Sequence, residues 1–202
     1  MKVRPILFFA LLIFASVTYS QSSEELIRAG LALDSTGNYE KAIKKYDKAI
    51  QLKPNSTEAY RARAMSRFKM KELKDAMKDV TYAIELKSDY AEAFFSRAQI
   101  KAELDDYRGE IQDLNKAIEL KPAYTEAYNL RGLVRGKLGD HKGEIDDYTK
   151  SIAIKPNDGE AYHNRGHAKF LVGDKEGACM DFSKAGEFGY FKSYDDIKEL
   201  CK

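Results

Sequence analysis

The sequence has 202 residues, of which 44% are hydrophobic and 33% are charged. This composition excludes an intrinsically disordered chain, because it supplies enough apolar surface for a packed core. With 34 basic and 32 acidic side chains, it is not a strongly basic or acidic protein.

The first twenty residues have the layout of a secretory signal peptide. Lys2 and Arg4 precede the apolar run 6–17, ILFFALLIFASV, and small polar residues follow. The run is short for a transmembrane helix, which needs about 20 residues, so we expect cleavage between Ser20 and Gln21 and export to the periplasm or beyond the cell. An uncleaved N-terminal anchor is the alternative. Cleavage would lower the basic count from 34 to 32, equal to the acidic count, leaving no net field to attract nucleic acid.

A 34-residue period organises the rest of the chain from Ser23 onward. The fourth place of each unit is a large apolar residue and the eighth is Gly or Ala, so both lie on one face of a helix. Gly, Asn or Asp then marks a turn, and a second helix with Ala and aromatic residues on its inner stripe ends near proline in three units. Each unit is predicted to be a helical hairpin, and hairpins must stack to bury their apolar faces.

This recurring pattern resembles that of the tetratricopeptide repeat (TPR) family over residues 23–192. The resemblance implies an all-α fold, a right-handed α-solenoid of five 34-residue helix-turn-helix repeats followed by a C-terminal capping helix. The expected division of the chain is a signal peptide 1–20, repeats 23–56, 57–90, 91–124, 125–158 and 159–192, and a capping helix 193–202.

The C-terminal segment SYDDIKELCK contains one of the two cysteines. Ser193 is a plausible N-cap, and one apolar face of this helix would cover the last hairpin. Cys179 is expected on the second helix of that hairpin. An even number of cysteines in an exported chain favours a Cys179–Cys201 disulfide, with two small buried thiols as the alternative.

An arginine column occupies the seventh place of units two to five, on a stripe that is usually apolar in a helix of this kind. Aspartate occupies the twenty-third place of the same four units, and the first unit has Ala29 and Lys45 instead. This joint presence and absence predicts ion pairs within each hairpin. The predicted pairs are Arg63–Asp79, Arg97–Asp113, Arg131–Asp147 and Arg165–Asp181. The alternative, a ladder of arginines for an acidic ligand, is disfavoured by their position on the helix.

In proteins of the TPR family, the first helices of successive repeats line a concave groove. By this resemblance the partner-binding side chains are Arg61, Met65, Phe68, Phe95, Gln99, Asn129, Leu133, His163, His167 and Phe170. Their mixture of apolar and polar types suits an extended peptide or an amphipathic helix. His163 and His167 are spaced i,i+4 like metal ligands, but two ligands make a weak site, so no metal is expected.

No nucleophile elbow, phosphate loop, zinc motif or dinucleotide fingerprint occurs in the sequence. We therefore expect a non-catalytic protein-protein interaction module, with a protein or peptide partner, no cofactor, no small-molecule substrate and no nucleic acid. The alternative is an architectural subunit of an envelope assembly that uses its edges or convex face. The sequence leaves the oligomeric state open.

Overall fold

The computed structural model describes residues 22–201, and the predicted signal peptide lies outside them. This part of the chain is all-helical and contains no strand. The helices are α1 (Ser23–Ser35), α2 (Tyr39–Leu52), α3 (Thr57–Lys69), α4 (Leu73–Leu86), α5 (Ala91–Ala102), α6 (Tyr107–Leu120), α7 (Thr125–Lys137), α8 (His141–Ile154), α9 (Gly159–Leu171), α10 (Lys175–Glu187) and α11 (Ser193–Leu200). Between residues 22 and 201, no helix has the length and apolar character needed to cross a membrane.

Helices α1 to α10 pack as consecutive pairs, α1 with α2 through α9 with α10, and each second helix contacts the next first helix. First helices also contact one another directly, α1 with α3, α3 with α5 and α7 with α9. Within the described chain, second helices make no contact of similar extent with one another. The stack is therefore tighter on the side of the first helices, which makes that side the concave one. The right-handedness of the solenoid and the limits of the repeats stay predictions.

The turn inside each hairpin contains one residue with positive φ. Glycine fills that place in three hairpins, with φ between 74° and 89° at Gly37, Gly139 and Gly173. Lys71 and Asp105 fill it in the other two, at φ 62° and 55°. A residue with a Cβ atom is strained in this conformation, so glycine in the sequence predicts the turn. Lys71 and Asp105 depart from this pattern, and a search for glycine would miss their turns.

The core matches a small residue on each first helix to a larger one on the second. Glycine faces an aromatic ring in three hairpins: Gly30 lies against Tyr46, Gly132 against Tyr148 and Gly166 against Phe182. In the other two, alanine shares a core cluster with an aliphatic residue, Ala64 with Val80 and Ala98 with Leu114. The larger side chain of the second helix thus fills the space left by the small residue of the first helix, as close packing requires.

Helix α11 packs on α10 and ends the stack. A disulfide joins Cys179 on α10 to Cys201, with the two Cα atoms 5.8 Å apart. Ser193 is the first residue of α11 rather than its N-cap, which is Lys192. The Ser193 hydroxyl is instead buried against His163 of α9, with Oγ 3.2 Å from Nδ1, so α11 contacts both helices of the last pair.

Candidate functional site: the concave groove

The arginine column lies within the hairpins, where each guanidinium forms a bidentate salt bridge with an aspartate. In Arg131, Nε donates to Asp147 Oδ2 at 3.0 Å and Nη2 donates to Oδ1 at 2.6 Å. The same geometry recurs in the pairs Arg63–Asp79, Arg97–Asp113 and Arg165–Asp181. The four aspartate side chains are at most 7% exposed. These arginines therefore connect helices, and none is free to serve as a ladder for an acidic ligand.

Each buried aspartate also receives a second basic side chain from one turn further along the first helix. Arg135 donates to Asp147 Oδ2 at 2.9 Å, and the corresponding partners in the other pairs are Arg67, Lys101 and Lys169. Two cations around one carboxylate keep the buried acid fully paired.

Three arginines of the column also reach back to the preceding hairpin, a contact that sequence reasoning missed. Arg63 donates to Asp47 at 2.6 Å, Arg131 to Asn115 at 2.6 Å and Arg165 to Thr149 at 3.2 Å. The three acceptors occupy the same repeat place, the twenty-fifth, but they are a carboxylate, an amide and a hydroxyl. A sequence pattern restricted to acidic residues therefore does not reveal them, whereas one that includes all hydrogen-bond acceptors does.

A depression of about 250 Å³ lies in the concave groove across the third to fifth helix pairs. Four predicted groove residues line it: Phe95, Gln99, Asn129 and Leu133. Leu133 is 46% exposed. The other lining residues are Glu126, Leu130, Tyr148, Glu160 and Asn164. Another depression, of about 290 Å³, sits on the turn 37–41 beside Met70, but it offers no surface shared by several first helices.

Apolar, amide and acidic side chains together line the depression. The Oδ1 atom of Asn129 is buried without a hydrogen-bond partner among residues 22–201. Glu126 and Glu160 are exposed on the rim. At the same repeat place, Glu24 pairs with Lys53 and Glu92 with Lys121, both at 3.0 Å. Within residues 22–201, Glu126 and Glu160 form no such ion pair, because Lys155, at the place of Lys53, contacts Asp158 instead and Gly189 occupies that place in the last repeat.

Burial and nearby carboxylates raise the pKa values of two tyrosines in this region. Burial first, and then the charges of Glu144 and Glu160, raise the pKa of Tyr148 above its usual value. Burial, together with Glu92 and Glu126, raises the pKa of Tyr124 to about 12. Both phenols therefore stay neutral at physiological pH.

The predicted residues of the second helix pair are half-buried and lie outside the depression. Arg61 is half-buried, and its Nε donates to the Tyr90 hydroxyl at 2.8 Å. Phe68 packs against the core cluster of that pair, while Met65 remains half-exposed. Phe170, at the other end, is half-buried beside Lys175, whose Nζ lies 5.9 Å from the ring centroid. The groove residues brought together are therefore those of α5 and α7.

His163 was predicted to face the open groove, and this prediction is wrong. Its side chain is 5% exposed because α11 lies over it, and burial, followed by the neighbouring His167, lowers its pKa. His167 keeps 42% of its side chain exposed, at the edge of the covered region. The capping helix thus covers the C-terminal end of the groove. The sequence predicted that this helix covers the last hairpin, but it did not predict that the helix buries His163.

Two buried glutamates lie behind the groove surface, and sequence reasoning did not single them out. Glu110 is 2% exposed, and its Oε2 has no hydrogen-bond partner within residues 22–201. Burial raises its pKa to about 7. Glu144 occupies the space beside Gly136 and contacts His141 at 3.0 Å. The sequence does contain a signal for these glutamates. At their repeat place the other three repeats have Ala, and the facing place of the first helix, occupied by larger side chains in those repeats, holds Ala102 and Gly136 here.

Family models of tandem repeats match more than half of the chain. A TPR repeat model covers residues 30–71, and a tetratricopeptide repeat model covers 91–124 and 125–158. The chain belongs to the tetratricopeptide repeat family. TPR proteins are in general non-catalytic scaffolds for protein–protein interaction, and their fold supports protein or peptide partners. A search of curated protein sequences finds no match.

Solved structures of TPR proteins share the fold. The crystal structure of MamA matches with 28% identity and a TM-score of 0.72, over 82% of this chain and 96% of MamA. YrrB, described as a TPR protein with an unusual peptide-binding site, matches with 20% identity and a TM-score of 0.69, over 88% of this chain and 92% of YrrB. PilF of Pseudomonas aeruginosa matches with 21% identity and a TM-score of 0.78, over 83% and 76%.

Proposed function

We propose that this TPR protein is a non-catalytic binding module that captures a peptide segment in the depression between α5, α7 and α9. The segment carries an apolar side chain flanked by lysine or arginine. The observation that carries the proposal is the exposed Leu133 beside two glutamates, Glu126 and Glu160, that have no basic partner in residues 22–201.

The lining chemistry supports a peptide of this kind. Phe95 and Leu133 offer an apolar contact for one side chain, while Gln99, Asn129 and Asn164 offer amide groups for main-chain hydrogen bonds. The two glutamates provide charge complementarity, which favours basic partners and rejects acidic ones. The presence of a peptide-binding site in YrrB is consistent with such a use of the fold.

A peptide-selection experiment on the purified protein tests this proposal. Short random peptides are selected for binding, and the affinities of the selected sequences are measured by calorimetry. We expect enrichment of apolar residues next to Lys or Arg, and affinity that falls with salt. The Leu133→Ala variant should weaken binding about tenfold, a loss typical of truncating a buried anchor.

Matched variants separate this site from the rest of the surface. Leu138→Ala removes a leucine of similar exposure, 52%, on the turn after α7, and it should bind as the parent protein does. The double variant Glu126→Lys/Glu160→Lys should exchange the preference for basic peptides for one toward acidic peptides. Selected peptides whose affinity is unchanged by Leu133→Ala and by the double variant would contradict the proposal and favour an architectural role through the edges or the convex face.

Export is also proposed, supported by the signal-like residues 1–20 and by the Cys179–Cys201 disulfide, a bond that persists in oxidising compartments. The N-terminal sequence of the protein recovered from the host cell tests it. A mature chain beginning at Gln21 agrees with the proposal, whereas an intact Met1 in a reducing compartment contradicts it.

A further inference from the structure

Three side chains with metal-ligating atoms meet where α11 covers the end of the groove. His163 and His167 lie one turn apart on α9, and Asp196 lies on the first turn of α11. One ligand atom of each lies within 4.8 Å of the other two. His163 Nδ1 is 3.3 Å from Asp196 Oδ2, and His167 Nε2 is 3.4 Å from Asp196 Oδ1.

The two contacts end on different oxygens of Asp196, so small side-chain rotations within this cluster would bring one carboxylate oxygen and both imidazole nitrogens around a single ion. Zinc binds imidazole nitrogen and carboxylate oxygen at about 2.0–2.1 Å in tetrahedral geometry, which sets neighbouring ligand atoms about 3.3–3.4 Å apart. The two histidines contribute neutral nitrogen donors and Asp196 contributes the negative charge. Nitrogen and carboxylate ligands together suit zinc better than magnesium or calcium, which prefer oxygen alone.

One carboxylate oxygen of this cluster makes no hydrogen bond of good geometry, although His163 Nδ1 lies 3.3 Å from it. Asp196 Oδ2 is buried and has no hydrogen-bond partner among residues 22–201. The nearby Nδ1 of His163 is engaged with the Ser193 hydroxyl at 3.2 Å. A buried carboxylate oxygen without a partner is unfavourable, and a bound cation would satisfy it.

We propose that His163, His167 and Asp196 bind a zinc ion, with the fourth position open to water or to the Ser193 hydroxyl. The site has a route of entry through His167, whose side chain is 42% exposed. It would join α9 to α11, while the disulfide joins α10 to the residue after α11. The capping helix would then be fastened at both ends, and the closed end of the groove would depend on the metal.

Cobalt titration of the purified chain, free of any histidine tag and treated with a chelator, tests the site. Tetrahedral Co²⁺ gives a visible absorption band, which Zn²⁺ should abolish by competition. We expect one equivalent to bind, and His167→Ala and Asp196→Asn should each weaken binding at least about tenfold. Zinc at about 100 times its dissociation constant should raise the melting temperature by about 5–10 °C.

The third histidine of the chain provides the control. His141 lies at the start of α8, beside Glu144 and away from α11, so His141→Ala should bind cobalt as the parent does. His167 is partly exposed, so its removal should leave the helical circular dichroism unchanged. Absence of stoichiometric binding, binding that survives both ligand substitutions, or equal weakening by His141→Ala would each overturn the proposal.

Discussion

Gly166 lies against the ring of Phe182, and a Cβ atom on Gly166 would lie 2.7 Å from Cε1 of that ring. The ring is fully buried, so it has little freedom to move aside. The same relationship joins Gly132 to Tyr148, with a longer separation of 3.2 Å. Small and large residues are therefore fitted to one another across each hairpin, which makes the match testable by exchange.

Gly166→Ala should destabilise the protein by about 1–2 kcal/mol, because the overpacking penalty exceeds the gain in helix propensity of about 1 kcal/mol. Adding Phe182→Leu recreates the Ala98/Leu114 combination of the third helix pair, so the double variant should be more stable than the sum of the single effects by at least about 1 kcal/mol. Chemical denaturation measures both. A stabilising Gly166→Ala, or strictly additive effects, would contradict the fit.

The sequence predicted the helices and their pairing because local and long-range signals agree in nearly every repeat. Large and small residues recur at fixed places, and glycine marks most of the turns. The joint absence of Arg and Asp from the first unit predicted the pairing of Arg131 with Asp147, which the structure contains. Register within a repeat is thus readable from periodicity.

The contacts that were missed depend on how neighbouring elements meet, which periodicity does not encode. His163 has the repeat place of a groove residue, but α11 follows the last repeat and covers it. Asp196 approaches the two histidines only because of that docking. The reach of Arg131 to Asn115 likewise depends on the spacing between hairpins.

The Arg131–Asp147 pair should show strong energetic coupling. Asp147→Ala leaves two guanidinium groups without their buried acceptor and should cost about 3–5 kcal/mol, whereas Arg131→Ala leaves Asp147 paired with Arg135 and should cost less. A double-mutant cycle should give a coupling energy of about 1.5–3 kcal/mol.

The exposed pair Lys53–Glu24 is the matched control for that cycle. It joins the residue after α2 to α1, but its side chains are 53% and 61% exposed. Its coupling energy should be below about 1 kcal/mol. Equal coupling in the two cycles would show that burial of the aspartate column has no special effect.

Lys71→Gly should stabilise the protein by about 0.5–1 kcal/mol, since φ is 62° at Lys71 and glycine removes the strain of its Cβ atom. The ion pair lost with Glu103 is exposed and contributes little. Lys71→Ala removes the same ion pair and keeps the Cβ atom, so it should bring no gain. Thermal unfolding distinguishes the two, and equal effects of Gly and Ala would contradict the strain.

Glu110 should make the stability of the protein depend on pH. Burial raises its pKa from 4.5 to about 7, against the opposing charge of Lys137 and with a smaller contribution from Asp106. Between these pH values the folded state binds more protons than the unfolded state, so the free energy of unfolding should fall as pH rises from about 4.5 to about 7.

Glu110→Gln tests this dependence, because it removes the charge and keeps the shape. The parent protein should lose on the order of 2–3 kcal/mol more than the variant between pH 4.5 and pH 8. Denaturant unfolding at the two pH values measures the difference. Parallel stability curves for parent and variant would show that Glu110 does not change protonation in this range.

NMR mapping of the bound peptide shows whether the first helices form the proposed partner-binding groove. The strongest peptide from the selection is titrated into labelled protein, and shifts of backbone amides and methyl groups are followed. If the peptide binds in this groove, the largest changes should fall on α5, α7 and α9 around Phe95, Asn129 and Leu133. Changes confined to the second helices, or to the turns between them, would contradict it.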